Sequence, residues 1–185
     1  MGLLEEPAAA ALSQGLSKYA GSQNAKHILV YDFGGGTLDL TILKIEGNKF
    51  TTIAKDGDDH CGGQDVDNNL VEHFIGKYGD EEGDEEVIRT KPKNLAQFKK
   101  SVSFVKMELA GHGNTESEFS TEVGEDDFVV PITKAEFEDA AVFPLRQKLT
   151  DPIDRIFRQK GVDIQKEGIC EIVMVGGSAR IPIVQ

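Results

Sequence analysis

Apolar positions along the chain alternate between a period of two and helical spacing, and the changes of period mark out the elements. Residues 5–19 read as a helix, with Pro7 in the first turn, alanines behind it and Gly15 weakening the far half. Residues 21–24 form a turn, and residues 27–31 are an apolar run of strand length. The segment from Asp32 to Thr37 interrupts that run. Beyond it, Leu38, Leu40 and Ile42 alternate with Asp39 and Thr41, the signature of a strand with one buried face. Turn residues at 46–49 lead into a further strand over 50–54. The expected result is an antiparallel meander whose first corner is three glycines.

After Gly62-Gly63 the spacing becomes helical. From Asp65, Val66, Leu70, Val71, Phe74 and Tyr78 fall on one face, with Asp65 a candidate cap. Residues 79–86 hold six carboxylates, whose repulsion predicts a solvated loop. Pro92 opens a helix carrying Leu95, Phe98, Val102, Val105 and Leu109 inward, and glycines at 111 and 113 stop it. Residues 118–123 and 127–130 read as a hairpin. Thr133 and Glu136 have the spacing of a capping box ahead of a long helix that Pro144 and Pro152 should bend or divide and Gly161 should end. Residues 171–175 read as a buried strand running into Gly176-Gly177-Ser178. A proline in a first turn with three residues after it is not how domains close, so the chain is expected to be a truncated piece.

Composition narrows the class. Twenty lysines and arginines against 32 acidic residues leave a formal charge of −12, with no basic stripe for nucleic acid. No apolar run approaches a membrane span, and no leader pattern is visible. Two cysteines, Cys61 and Cys170, make neither a disulfide framework nor a metal quartet. The four histidines lack zinc spacing. The expectation is a soluble, acidic, cytoplasmic globular protein without nucleic-acid or membrane partners.

The chemistry lies in the glycines. In Asp32-x-Gly34-Gly35-Gly36-Thr37-x-Asp39, consecutive glycines let backbone N–H groups close on an anion, and Thr37 adds a hydroxyl. Two aspartates repel phosphate directly, which implies a divalent cation between them. A permissive hairpin is the plain alternative, but it needs only one or two glycines. The loop lacks the Gly-Lys-Ser/Thr ending of a Walker loop and the G-x-G-x-x-G fingerprint. Gly176-Gly177-Ser178 after a strand suits an approach to ribose or phosphate, and Gly62-Gly63 is a weaker signal.

Taken in order, Glu6-Pro7 with its alanine helix, the 32–39 loop, Gly62-Gly63-Gln64-Asp65-x-Asp67-Asn68 and Val175-Gly-Gly-Ser-Ala-Arg-Ile-Pro182 resemble the 70-kDa heat-shock chaperone family. The resemblance covers nearly the whole chain. It implies an α/β fold, lobe II of the actin-like (ribonuclease H-like) ATPase: a mixed β-sheet flanked by helices plus an α+β subdomain. Subdomain IIA would take residues 24–61 and 142–185, and IIB residues 62–141. By the same resemblance Asp32, Glu6 and Thr37 are catalytic. Gly34, Gly35, Gly36, Thr37, Gly62, Gly63, Lys106, Gly176, Gly177, Ser178 and Arg180 bind ATP or ADP. Asp32, Asp39 and Glu6 hold magnesium, mostly through water, with potassium as a possible monovalent ion. Implied partners are a first lobe and a peptide-binding domain of the same chain, J-domain co-chaperones, nucleotide-exchange factors and unfolded clients.

One stretch departs from the pattern. Where the family's adenosine helix reads Glu-x-x-Lys-Arg-x-x-Ser, this chain has Ser103, Lys106, Met107 and Ala110. Losing a carboxylate, a guanidinium and a hydroxyl predicts weaker adenine-nucleotide binding than in ordinary members. Three functions follow: a chaperone ATPase whose isolated 185 residues are inactive, a weakly or non-hydrolysing relative serving as a regulatory or exchange partner, and another actin-like kinase.

Overall fold

The computed structural model describes residues 6–13, 25–47, 49–111, 113–159 and 168–185. Their contacts divide into two compact units, one from residues 1–62 and 147–179 and the other from residues 63–146 and 180–185. Among the described residues, no helix is long and apolar enough to cross a membrane.

The first unit is a four-stranded sheet in the order β3-β2-β1-β6. Strands β1 (Lys26–Phe33), β2 (Leu38–Glu46) and β3 (Lys49–Asp58) form the antiparallel meander, and β6 (Ile169–Val175) joins β1 in parallel. Helix α1 (Glu6–Ser13) places Ala8 against Ile28, Val30, Leu43, Ile45 and Val173. On the other face, the Tyr31 hydroxyl donates to the Leu149 carbonyl of α6 (Arg146–Phe157) at 3.1 Å. Both faces are therefore covered. That is why Thr41, expected on an open face, is buried at 4% exposure.

Three strand expectations need correction. β1 continues through Asp32 and Phe33 instead of stopping at Tyr31. β3 extends four residues past Ala54, through a polar stretch that α6 and the residues just after it hold in place. Arg155 donates to Asp56 Oδ1 at 2.6 Å and to the Gly57 carbonyl at 2.8 Å, and Gln159 donates to the Lys55 carbonyl at 2.7 Å. β6 is not a buried strand: it lies at the sheet's edge among the described residues, with Val173 buried and Ile172 exposed. The far half of the first predicted helix, the 21–24 turn and the stop at Gly161 lie outside the described residues.

The second unit packs α2 (Gly63–Glu82), α3 (Glu86–Arg89) and α4 (Pro92–Ala110) with the hairpin β4 (Glu116–Val123) and β5 (Asp126–Thr133). Phe74, Phe98, Phe119 and Phe128 meet in its core. Asp65 sits inside the first turn of α2 and not ahead of it, in a position that favours a carboxylate near the positive helix end. The acidic stretch is not simply a loop. α2 runs on through Gly79 to Glu82 and α3 starts at Glu86, because Arg89 bridges Glu72 at 2.8 Å and Glu85 at 3.0 Å and offsets the repulsion. On α4, Asn94 is buried where Leu95 was expected, its amide donating to the Val87 carbonyl at 2.9 Å.

The capping box forms by half. Glu136 N–H donates to Thr133 Oγ1 at 3.2 Å at the start of α5 (Lys134–Phe137), but the Glu136 carboxylate turns to Lys77 at 2.6 Å and His73 at 3.0 Å. Beyond α5 a π turn (Glu138–Val142) and a 3-10 turn (Phe143–Leu145) absorb Pro144, whereas Pro152 lies inside α6 without dividing it.

Burial raises the Glu136 pKa, but the hydrogen bonds and charges of Lys77 and His73 outweigh it and hold the group below its ordinary 4.5. A depressed carboxylate stabilises the fold above its unfolded-state pKa and loses that contribution as pH falls through the folded value. Glu136→Gln should therefore lower the urea midpoint at pH 7, and the gap from wild type should close as pH falls through the group's depressed folded value. An equal gap at pH 7 and below that value would refute the assignment.

Candidate functional site

The corner between β1 and β2 is a tight one. Gly34 N–H donates to the Thr37 carbonyl at 3.0 Å, and Phe33 pairs with Leu38 across the strands. A Cβ built at Gly35 or Gly36 would meet nothing within 4 Å, and neither glycine has a positive φ. Internal packing does not demand glycine there. The backbone there is open, as it would be where a ligand approaches closely.

Two other glycines are required by the protein itself. A Cβ on Gly62 would collide with the Gly35 carbonyl oxygen and the Gly36 backbone, so Gly62 buttresses the loop from beneath. Gly176, with φ 89°, lies against the Phe33 carbonyl, where a Cβ would also come within 2.8 Å of Asp32 Oδ1. Ser178 Oγ donates to the Gly34 carbonyl at 2.8 Å and ties the two loops together. Gly177 is exposed and open. Asp32, the glycine corner, Asp39, Gly62, Gly176 and Ser178 thus converge in the first unit.

Strand register adds the charges. Asp32 stands directly opposite Asp39. Like charges facing each other across a sheet are destabilising, and a cation placed beside them relieves the repulsion. Thr37 Oγ1 donates to Asp39 Oδ2 at 2.9 Å, so its hydroxyl serves Asp39 where the sequence suggested a phosphate. A cavity beside this pair is lined by Pro7 of α1 with Val30, Asp32, Asp39, Leu40, Thr41, Lys55 and Asp56, the last of which accepts from Arg155. Among the described residues, no three His, Cys, Asp or Glu side chains could chelate a metal together. A divalent cation would meet Asp32 and Asp39 with water or phosphate filling its shell, which suits a metal–phosphate group.

Sequence reasoning missed Pro7, Thr41 and Lys55 as parts of this cavity. The available signal was Gly57: once β3 reaches Asp58, Gly57 faces Asp39 and Lys55 faces Thr41. Of the remaining candidates, Glu6 opens α1. Gly63, Lys106 and Arg180 belong to the second unit. There Lys106 Nζ donates to Asp67 Oδ2 at 2.7 Å and to the Gly63 carbonyl at 3.0 Å. Arg180 ends a short 3-10 turn (Ser178–Arg180) and is exposed. Along α4, Phe104 and Met107 are exposed.

Comparison with known proteins adds two findings. The family model described as "Hsp70 protein" matches residues 1–185. The chain is also 37% identical over 186 residues to the "Ribosome-associated molecular chaperone SSB" of Candida glabrata. That alignment takes in 99% of this chain but only 29% of the relative's length.

Proposed function

Because the chain belongs to the Hsp70 family of chaperones, we propose that it is the nucleotide-handling second lobe of an ATP-hydrolysing chaperone. Its mixed sheet flanked by helices is the actin-like ATPase fold of that family's nucleotide-binding domain. Family membership sets aside the sugar-kinase reading. The reading rests most on the open glycines at 35 and 36 beside the facing Asp32–Asp39 pair.

In this reading the N–H groups of residues 34–37 hold the β- and γ-phosphate oxygens of ATP. Asp32 accepts a hydrogen bond from the attacking water and orients it, and its carboxylate, with Asp39 and Glu6, holds waters around magnesium. Magnesium, when bound, neutralises charge on the phosphates, and potassium is the expected monovalent ion. Gly62 and Gly176 keep the loop and Asp32 in register, so the rate gain comes from positioning and charge neutralisation. Gly176, Gly177, Ser178 and Arg180, with Lys106, are assigned to the adenosine side by family motif, and Gly62 and Gly63 to the nucleotide. Residues 24–61 with 142–185 and residues 62–141 are proposed as subdomains IIA and IIB. Hydrolysis needs the first lobe with its lysine. It would drive cycles of client binding and release with J-domain and exchange-factor partners in the cytoplasm.

The test is titration of the 185-residue chain with fluorescent Mg·ADP. Weak saturable binding is expected, without ATP turnover, and Gly36→Val should reduce it at least tenfold by filling the space the phosphates need. Undiminished binding by Gly36→Val would sink the reading. A second reading, a relative that hydrolyses weakly or not at all, draws on the exposed Phe104 and Met107 and on the tether of Lys106 to Asp67. It requires single-turnover hydrolysis in a polypeptide carrying both lobes to be indifferent to Asp32→Asn.

A further inference from the structure

The cavity beside Asp32 and Asp39 contains a cation, Lys55, that the family motifs do not assign. In the row Asp32–Asp39–Gly57, the third position carries no side chain, because a Cβ on Gly57 would run into the Leu38 carbonyl oxygen. The adjacent row on the same face is Val30–Thr41–Lys55. Lys55 is therefore the diagonal neighbour of Asp39, with Cβ atoms on the order of 7 Å apart, within the span of a lysine side chain. Gly57 leaves the intervening surface open.

The backbone that presents Lys55 is fixed. Gln159 donates to its carbonyl, and Arg155 holds Asp56 and the Gly57 carbonyl on either side of the next peptide. Lys55 itself is exposed and lines the cavity with both aspartates. An exposed ammonium on a clamped strand, diagonal to one member of a like-charge pair, lowers the field that the pair presents to solutes.

We propose that Lys55 is the pocket's own cation, which offsets the Asp32–Asp39 charge and takes a phosphate oxygen when phosphate binds. This rests on the phosphate–metal reading above. It gives two ligands of opposite charge opposite responses. Lys55→Met in the 185-residue chain should bind Mn2+ more tightly, about three- to tenfold, because one positive charge no longer opposes the metal. It should bind inorganic phosphate several-fold more weakly, and Lys55→Arg should restore wild-type behaviour for both ligands.

Calorimetric titration with Mn2+ alone and with phosphate alone separates the outcomes. A merely structural role for Lys55 would weaken both ligands together, and that result overturns the proposal. If Asp32→Asn removes Mn2+ binding while Lys55→Met changes nothing, the pocket is a metal site and Lys55 is no part of it. If Asp32→Asn also leaves Mn2+ binding unchanged, the metal–phosphate reading itself fails and takes the proposal with it.

Discussion

Phe119→Ala should lower the stability of the second unit by about 4 kcal/mol, the middle of the range for deleting a buried phenyl ring. The ring is fully buried. Its centroid lies 3.9 Å from that of Phe74 in a stacked arrangement, with Phe98 at 5.1 Å and Phe128 at 6.0 Å. All three neighbours are themselves large aromatics, on two helices and the paired strand. They cannot collapse into the gap without leaving their own rotamers, so most of the cavity would persist. Phe119→Leu, which keeps most of the volume, should lose about 1–1.5 kcal/mol. The readout is amide exchange of α2 and α4 in urea, with the tyrosine signal of Tyr78, which sits edge-on to Phe128, as a local report. A loss below about 1.5 kcal/mol for the alanine variant would mean that the core repacks around the gap and is less tightly keyed than the stacking implies.

Gly176→Ala is the second large effect, at about 3 kcal/mol. Roughly 1–2 kcal/mol comes from forcing a side chain into left-handed backbone, and the rest from driving a methyl into the Phe33 carbonyl. The neighbouring Gly177→Ala, with nothing within 4 Å, is the control and should be nearly silent. Because the displaced methyl also presses on Asp32, Gly176→Ala should weaken Mn2+ binding as well as lowering the urea midpoint. Equal midpoints for the two variants would refute the close approach.

These two positions show where sequence was informative and where it stopped. The phenylalanines lie at helical and strand spacing, so their inward faces could be read from periodicity, as could the meander and the position of the glycine corner. The glycines were legible as a group but not in their separate duties. Gly35 and Gly36 are open to solvent while Gly62 and Gly176 are jammed against backbone, and that difference depends on chain segments more than 25 residues away in sequence from the loop they touch. Lys55 was hidden for a related reason. Its strand is polar and carries no apolar alternation past Ala54, and it is extended because Arg155 and Gln159 of a remote helical segment hold it. The half-formed capping box has the same origin, since Glu136 had a choice between its own backbone and two side chains of α2 and took the latter.

The parallel pairing of β1 with β6 also has a consequence for assembly on the ribosome. Cys170 Sγ donates to the His27 carbonyl across 143 positions, and residues 63–146, the larger part of the second unit, are spelled out between β3 and β6. At 5–20 residues per second, synthesis of that interval takes on the order of ten seconds. Throughout it the meander has one long edge, along β1, without β6. The helices and hairpin of residues 63–146, contiguous in sequence, can fold during that delay, whereas closure of the sheet must wait for residues 169–175 to emerge. Nascent chains halted before residue 169 should therefore expose β1 as a pairing edge, the kind of surface that recruits either a chaperone or a misfolding partner.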